Sequence, residues 1–113
     1  MPAATDAINA ALYAELQATA GTEFAAELVA TFFEEAPLMM ADLRSALAGA
    51  NAKRFRRAAH SLKSNGHTFG ATPLAELARD LELGGLPADA TPLDALEAEY
   101  ARAAAALQAL TRG

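Results

Sequence analysis

The chain has 113 residues, among them 32 alanines but a single valine and a single isoleucine, and its formal net charge is −5. Because alanine enters helices most easily and β-branched strand formers are nearly absent, we expect one all-α domain over residues 1–113. The lack of cysteine excludes disulfides, thiolate catalysis and cysteine-based zinc sites. The negative charge disfavours a general nucleic-acid binder.

Two helices are predicted in the first half of the chain. The first runs from about Thr5 to Thr19 and is followed by Gly21, with a core face of Ile8, Leu12 and Leu16. The second runs from Thr22 to Ala48, and Pro37 inside it predicts a kink or a brief break. Its apolar positions form one broad face: Phe24, Leu28, Val29, Phe32, Phe33, Met39, Met40, Leu43 and Leu47.

Three further helices follow. Asn51 is a candidate N-cap for a third helix that reaches about Phe69, and Thr72-Pro73 and Thr91-Pro92 are N-cap and first-turn signals for the fourth and fifth. The fourth ends at Gly84-Gly85 and the fifth at about Leu110. Such short connections place neighbouring helices antiparallel, so we expect an antiparallel four-helix bundle with an additional N-terminal helix.

His60 lies on the outward side of the third helix. On a helical wheel it points about 140° from the stripe formed by core residues, which are Phe55, Ala59, Leu62, Gly66 and Phe69. Arg56, Arg57, Lys63, Ser64 and His67 share its side. Five of the nine basic residues, Lys53, Arg54, Arg56, Arg57 and Lys63, lie within eleven positions around it. An acidic protein with one basic patch suggests a local anionic ligand.

Glu82 is expected opposite His60. If the turn between the third and fourth helices is centred near Ala71, His60 lies level with Glu82 and Lys63 level with Arg79. A carboxylate at this position would accept a hydrogen bond from the Nδ1–H group of His60. Nε2 would then keep its lone pair and could act as a nucleophile toward phosphorus. Lys63 and the nearby arginines would stabilise a phosphoryl group. Without a nucleotide phosphate loop in the sequence, the chain is not expected to take that group from ATP.

The segment AAHSLKSNGHTFGATPLAELARDLE, residues 58–82, resembles the histidine-containing phosphotransfer (HPt) domains of bacterial phosphorelays. The matching positions are Ala59-His60, Leu62-Lys63, Gly70-Ala71, Leu74, Leu77 and Leu81-Glu82. The resemblance implies that His60 is phosphorylated, that Lys63 assists it electrostatically and that Glu82 orients it. Many family members carry glycine after the lysine, where this chain has Ser64.

The resemblance also implies a phosphocarrier without kinase activity of its own. Its partners would be receiver domains of response regulators, which supply the aspartate and Mg²⁺, and a hybrid histidine kinase; no cofactor of its own is expected. The residues expected to bind the partner are Arg56, Arg57, Ser64, Gly66, His67, Gly70 and Arg79. Among them, Ser64, Gly66 and Gly70 are small and would leave space for the partner's surface to approach. We expect a cytoplasmic monomer, since no signal peptide or membrane span is recognisable. With Met1 at its start a freestanding protein is favoured, and a segment of a hybrid kinase is the alternative.

Two other classes of function compete with this interpretation. An adaptor bundle would bind a helix or a receiver without chemistry. Separately, the cluster formed by Phe33, Met39 and Met40 is expected in the core, and the alternative for part of it is a docking patch for a receiver. A metal-binding bundle would use His60 and His67, but two helical turns separate such side chains by about 10 Å. The chain also lacks the inward-facing Glu-x-x-His pairs of metal-binding bundles.

Overall fold

The structure, a computed structural model, describes residues 7–112, which form five α-helices joined by short connections. They are α1 (Ala10–Ala20), α2 (Thr22–Ala48), α3 (Ala52–Thr68), α4 (Thr72–Gly84) and α5 (Thr91–Arg112). The residues described contain no strand. The predicted all-α class is therefore confirmed, α2 has the predicted bounds, and α4 ends where predicted.

The predicted start of the first helix is wrong. Asn9 is the N-cap of α1, because its side-chain oxygen accepts hydrogen bonds from the backbone N–H groups of Ala11 and Leu12. The residues before Ala7 lie outside the described part of the chain. The later start also changes the buried face, since Tyr13 is buried and Leu12 is 40% exposed. Ile8 is buried as predicted, but it precedes the helix.

Helix α2 continues through Pro37 without the predicted break. Its core side is formed by Ala25, Val29, Phe32, Ala36, Met40, Leu43 and Ala46. Phe24, predicted to lie on this side, is 52% exposed, because the buried positions lie one residue later on the helix. The aromatic ring of Phe32 stacks on Phe69 at a centroid distance of 5.0 Å and meets Tyr100 edge-on at 5.5 Å.

The two Thr-Pro pairs begin helices, but the threonines are not the caps. Thr72 is already helical, and the N-cap of α4 is Ala71, which has no side-chain capping bond. Thr91 is likewise the first residue of α5, and its backbone N–H donates to the Asp89 carboxylate at 2.9 Å. The proline in each pair is tolerated as the second helical residue, because an N–H in the first turn would have no acceptor within the helix.

Helices α2, α3, α4 and α5 pack in a ring, each against the next and α5 against α2, and α1 packs on α2. This arrangement is the expected four-helix bundle with an N-terminal helix. Between α2 and α5, Arg44 binds the carboxylates of Glu97 and Asp94 at 2.8 Å each; we call these three residues the α2–α5 clamp. No helix among residues 7–112 is long and apolar enough to cross a membrane.

Candidate functional site

His60 lies on the outer surface of α3, as the helical wheel predicts. Its side chain is 57% exposed. The residues predicted for the opposite stripe are all buried: Phe55, Ala59, Leu62, Gly66 and Phe69. The bundle core thus fixes the rotation of α3, and this rotation presents the imidazole to solvent.

Glu82 connects His60 and Lys63 in one network. Its Oε2 lies 2.8 Å from Nδ1 of His60, and its Oε1 lies 2.8 Å from Nζ of Lys63. The carboxylate is largely enclosed, with 16% of its side chain exposed. The predicted position of Glu82 across the α3–α4 turn is therefore confirmed.

The network determines the protonation state of the site. The ammonium group of Lys63 and the imidazole of His60 hold the pKa of Glu82 below its ordinary value of 4.5, against a smaller opposing effect of desolvation. A carboxylate at hydrogen-bonding distance favours the tautomer with the proton on Nδ1. Nε2, which has no hydrogen-bond partner among residues 7–112, then carries the free lone pair.

Lys63 forms a contact that the sequence analysis did not predict. The sequence predicts it next to a phosphoryl group on His60, one turn along the same face. In the structure its Nζ instead pairs with Glu82, and its side chain is 25% exposed. Lys63 therefore helps to fix the carboxylate that orients His60, and it lies close to the imidazole because both contact the same residue.

Gly66 does not provide clearance for a partner, so this part of the prediction is wrong. It is buried between α3 and α4. A Cβ on Gly66 would lie 3.0 Å from Cβ of Ala75 and 3.1 Å from its backbone nitrogen. Glycine is required there because the two helices approach closely, and this approach brings Glu82 within reach of His60.

Gly70 is also internal, contrary to prediction. It is buried, with φ of +73°, and a Cβ on it would lie 2.9 Å from the carbonyl oxygen of Asn9. The Gly70 carbonyl accepts a hydrogen bond from the Asn9 N–H at 2.7 Å. Gly70 therefore forms the turn after α3 and joins it to the start of α1.

A concave basic surface lies beside His60. Its volume is about 250 Å³, and it is lined by Lys53, Arg56, Arg57, His60 and Glu82; we call it the basic pocket. Lys53 was not among the predicted site residues. The signal that identifies it is spacing, since Lys53 precedes His60 by two helical turns on the same face.

The remaining predicted residues lie around this centre. Ser64 is exposed on α3. Arg79 is exposed on α4 and forms no ion pair with a described residue. His67 is exposed at a separate shallow cavity of about 310 Å³ beside Leu12 and Leu16. Within residues 7–112, no three His, Asp or Glu side chains are grouped closely enough to hold a metal ion.

Comparison with known families identifies the family of this chain. A family model described as the Hpt domain matches residues 27–106, which include His60, Lys63 and Glu82. Searches of curated proteins and of solved structures found no match. Since the family model covers most of the chain, the resemblance seen in residues 58–82 is confirmed. The chain belongs to the Hpt domain family, the phosphotransfer domains of two-component phosphorelays.

Proposed function

We propose that His60 accepts a phosphoryl group on Nε2 from an aspartyl phosphate of one receiver domain and passes it to the aspartate of another. The contact of Nδ1 with Glu82 at 2.8 Å is the observation that carries this proposal. It directs the unprotonated nitrogen outward on an exposed side chain. A phosphorylated partner therefore has direct access to the nucleophile.

The transfer is a displacement at phosphorus. The Nε2 lone pair forms the N–P bond while the bond between phosphorus and the aspartate oxygen breaks, and the aspartate leaves as a carboxylate. The ring becomes positively charged, with its proton retained on Nδ1. Glu82 stabilises that charge because it is ionised and within hydrogen-bonding distance. Passing the group onward reverses these steps.

The chain supplies only one side of this reaction. Its own residues offer the nucleophile and the group that orients it, and the partner receiver would supply the aspartate and Mg²⁺. We therefore propose a cytoplasmic phosphocarrier without autonomous kinase activity that acts as a monomer. Lys63 assists by holding Glu82, to which its Nζ is paired.

The test is transfer from a receiver domain that has been phosphorylated with acetyl phosphate and Mg²⁺. We expect one phosphate per chain, stable in base and labile in acid, as is typical of a phosphorylated histidine and not of a phosphorylated serine or threonine. Mass spectrometry should place it on His60. His60→Gln should abolish the labelling.

His67→Gln is the matched control because it removes the other histidine of α3, which lies at a separate cavity. It should be labelled like the unmodified protein. Labelling that survives in His60→Gln, or that is lost in His67→Gln, would contradict the proposal. An adaptor without chemistry would bind the receiver equally well in both variants and would acquire no phosphate.

A further inference from the structure

The basic residues of the protein are divided into two groups by their contacts. Three of those that lie outside the site are neutralised by carboxylates within the fold. Arg44 binds Asp94 and Glu97, Arg54 binds Asp42 at 2.6 Å, and Arg102 binds Glu99 at 3.0 Å. Lys53, Arg56 and Arg57, in contrast, form no ion pair with any residue between 7 and 112. Arg79 on α4 is also unpaired, so three of the four unpaired cations among residues 7–111 line the site.

These three side chains share one concave surface. They line the basic pocket together with His60 and Glu82. The Glu82 carboxylate does not neutralise them, because its two oxygens already contact His60 and Lys63. The pocket therefore carries three uncompensated positive charges on a protein whose net charge is −5.

We propose that Lys53, Arg56 and Arg57 bind acidic side chains on the surface of the partner protein and orient it over His60. This inference rests on the function proposed above and identifies the chemistry that the partner presents. Carboxylates spread over a protein surface fit the pocket better than a single phosphoryl group. Lys53 lies two helical turns from His60, about 10 Å along the axis, so the three cations are spread over a longer stretch of surface than one group bound to Nε2 occupies.

The surrounding charge gives the pocket its orienting effect. An acidic partner is repelled by most of the surface of a protein with net charge −5 and attracted at this pocket. Such an arrangement raises the rate of productive encounters more than it strengthens the final complex. The pocket thus selects partners by charge before any transfer takes place.

The first experiment measures transfer from the phosphorylated receiver to the triple variant Lys53→Gln, Arg56→Gln, Arg57→Gln. We expect KM to rise about tenfold with kcat unchanged, since exposed charges at the rim of an interface mainly affect association. The difference from the unmodified protein should shrink as salt is added. Arg54→Gln is the matched control, because its guanidinium on the same helix is paired with Asp42, and it should leave KM unchanged.

A fall in kcat at unchanged KM in the triple variant would overturn the proposal and would indicate a subsite for the phosphoryl group. An unchanged KM would overturn it as well. Loss of labelling in both the unmodified protein and the triple variant would instead count against His60 as acceptor. The two failures are therefore distinguishable.

The second experiment identifies the ligand without transfer. Backbone amide shifts should be followed by NMR while hexaglutamate or inorganic phosphate is added. We expect hexaglutamate to shift the amides around Lys53, Arg56 and Arg57, and to do so much less in the triple variant. Shifts with phosphate alone, or with neither ligand, would contradict recognition of carboxylates.

Discussion

Within residues 7–112, two clusters of three polar side chains connect neighbouring helices, and they have opposite composition. In the α2–α5 clamp one cation, Arg44, is shared by two carboxylates. Between α3 and α4 one carboxylate, Glu82, is shared by an ammonium and an imidazole. In the clamp, the positive charge of Arg44 is balanced by two carboxylates. The site leaves the second nitrogen of His60 unoccupied and exposed.

The difference shows how similar contacts serve stability in one place and chemistry in another. A guanidinium between two carboxylates has no further reactive atom to offer. An imidazole bound through Nδ1 keeps a lone pair on Nε2. In the proposed site, the shared group is the Glu82 carboxylate, and it orients the imidazole that would act as nucleophile. In the α2–α5 clamp, the shared group is the Arg44 guanidinium, and it holds two helices together.

The largest effect is expected when Glu82, the shared carboxylate of the site, is removed. Glu82→Ala should slow phosphoryl transfer by about ten- to a hundredfold, since a nucleophile that loses its orienting partner is misplaced in the encounter. Glu97→Ala removes a carboxylate from the clamp and should leave the rate unchanged while lowering stability. Rapid-quench transfer assays and urea denaturation measure the two effects. Equal loss of rate in both variants would mean that the clusters are not functionally distinct.

The next effect concerns the spacing of α3 and α4. Gly66→Ala should destabilise the protein by about 1–3 kcal/mol, because the new methyl group meets the backbone of Ala75. It should also slow transfer by moving Glu82 away from His60. The measurements are urea denaturation and the transfer assay.

Gly84→Ala is the control for that prediction. A Cβ on Gly84 meets no atom within 4 Å, so the substitution should raise stability by about 0.5 kcal/mol and leave transfer intact. Stabilisation by Gly66→Ala would show that helix propensity outweighs the close contact, and the packing argument for the site would then be wrong.

The smallest predicted effect is a loss of folding stability at low pH. The pKa values of both Glu82 and Glu97 lie below their ordinary value of 4.5 in the fold because of their cationic partners. The unfolded chain therefore binds more protons in this range. Each carboxylate contributes stability that is present above about pH 4.5 and is lost as pH falls through the lowered value.

Urea midpoints at pH 7 and pH 3 measure this dependence. Glu82→Gln and Glu97→Gln should each show a smaller drop between the two conditions than the unmodified protein. A drop of the same size in either variant would mean that its carboxylate does not contribute to the acid sensitivity.

The sequence predicted most of the site because its geometry depends on helical periodicity. The stripe from Phe55 to Phe69 determines the rotation of α3, and a three-residue turn sets the register of α4. These two quantities are sufficient to place Glu82 next to His60. Asn51 was recognised as a cap for the same reason, since its interaction with the Arg54 N–H is local.

The errors arose where a choice depended on contacts between distant segments. Gly66 and Gly70 looked like exposed clearance, but Ala75 and Asn9 occupy the space next to them. The pairing of Lys63 with Glu82 required knowledge of which of two nearby acceptors a flexible side chain prefers. The start of α1 was misplaced because the capping bonds of Asn9 were not recognised in the sequence.

The engagement of both oxygens of Glu82 has a consequence for the lifetime of a phosphorylated histidine. A phosphoryl group on an exposed side chain is accessible to water, and a nearby free carboxylate would accelerate hydrolysis by accepting a proton from it. Glu82 is a weak proton acceptor, because Lys63 and His60 lower its pKa. If His60 is phosphorylated as proposed, the same contacts that orient the histidine would also slow hydrolysis of the phosphoryl group.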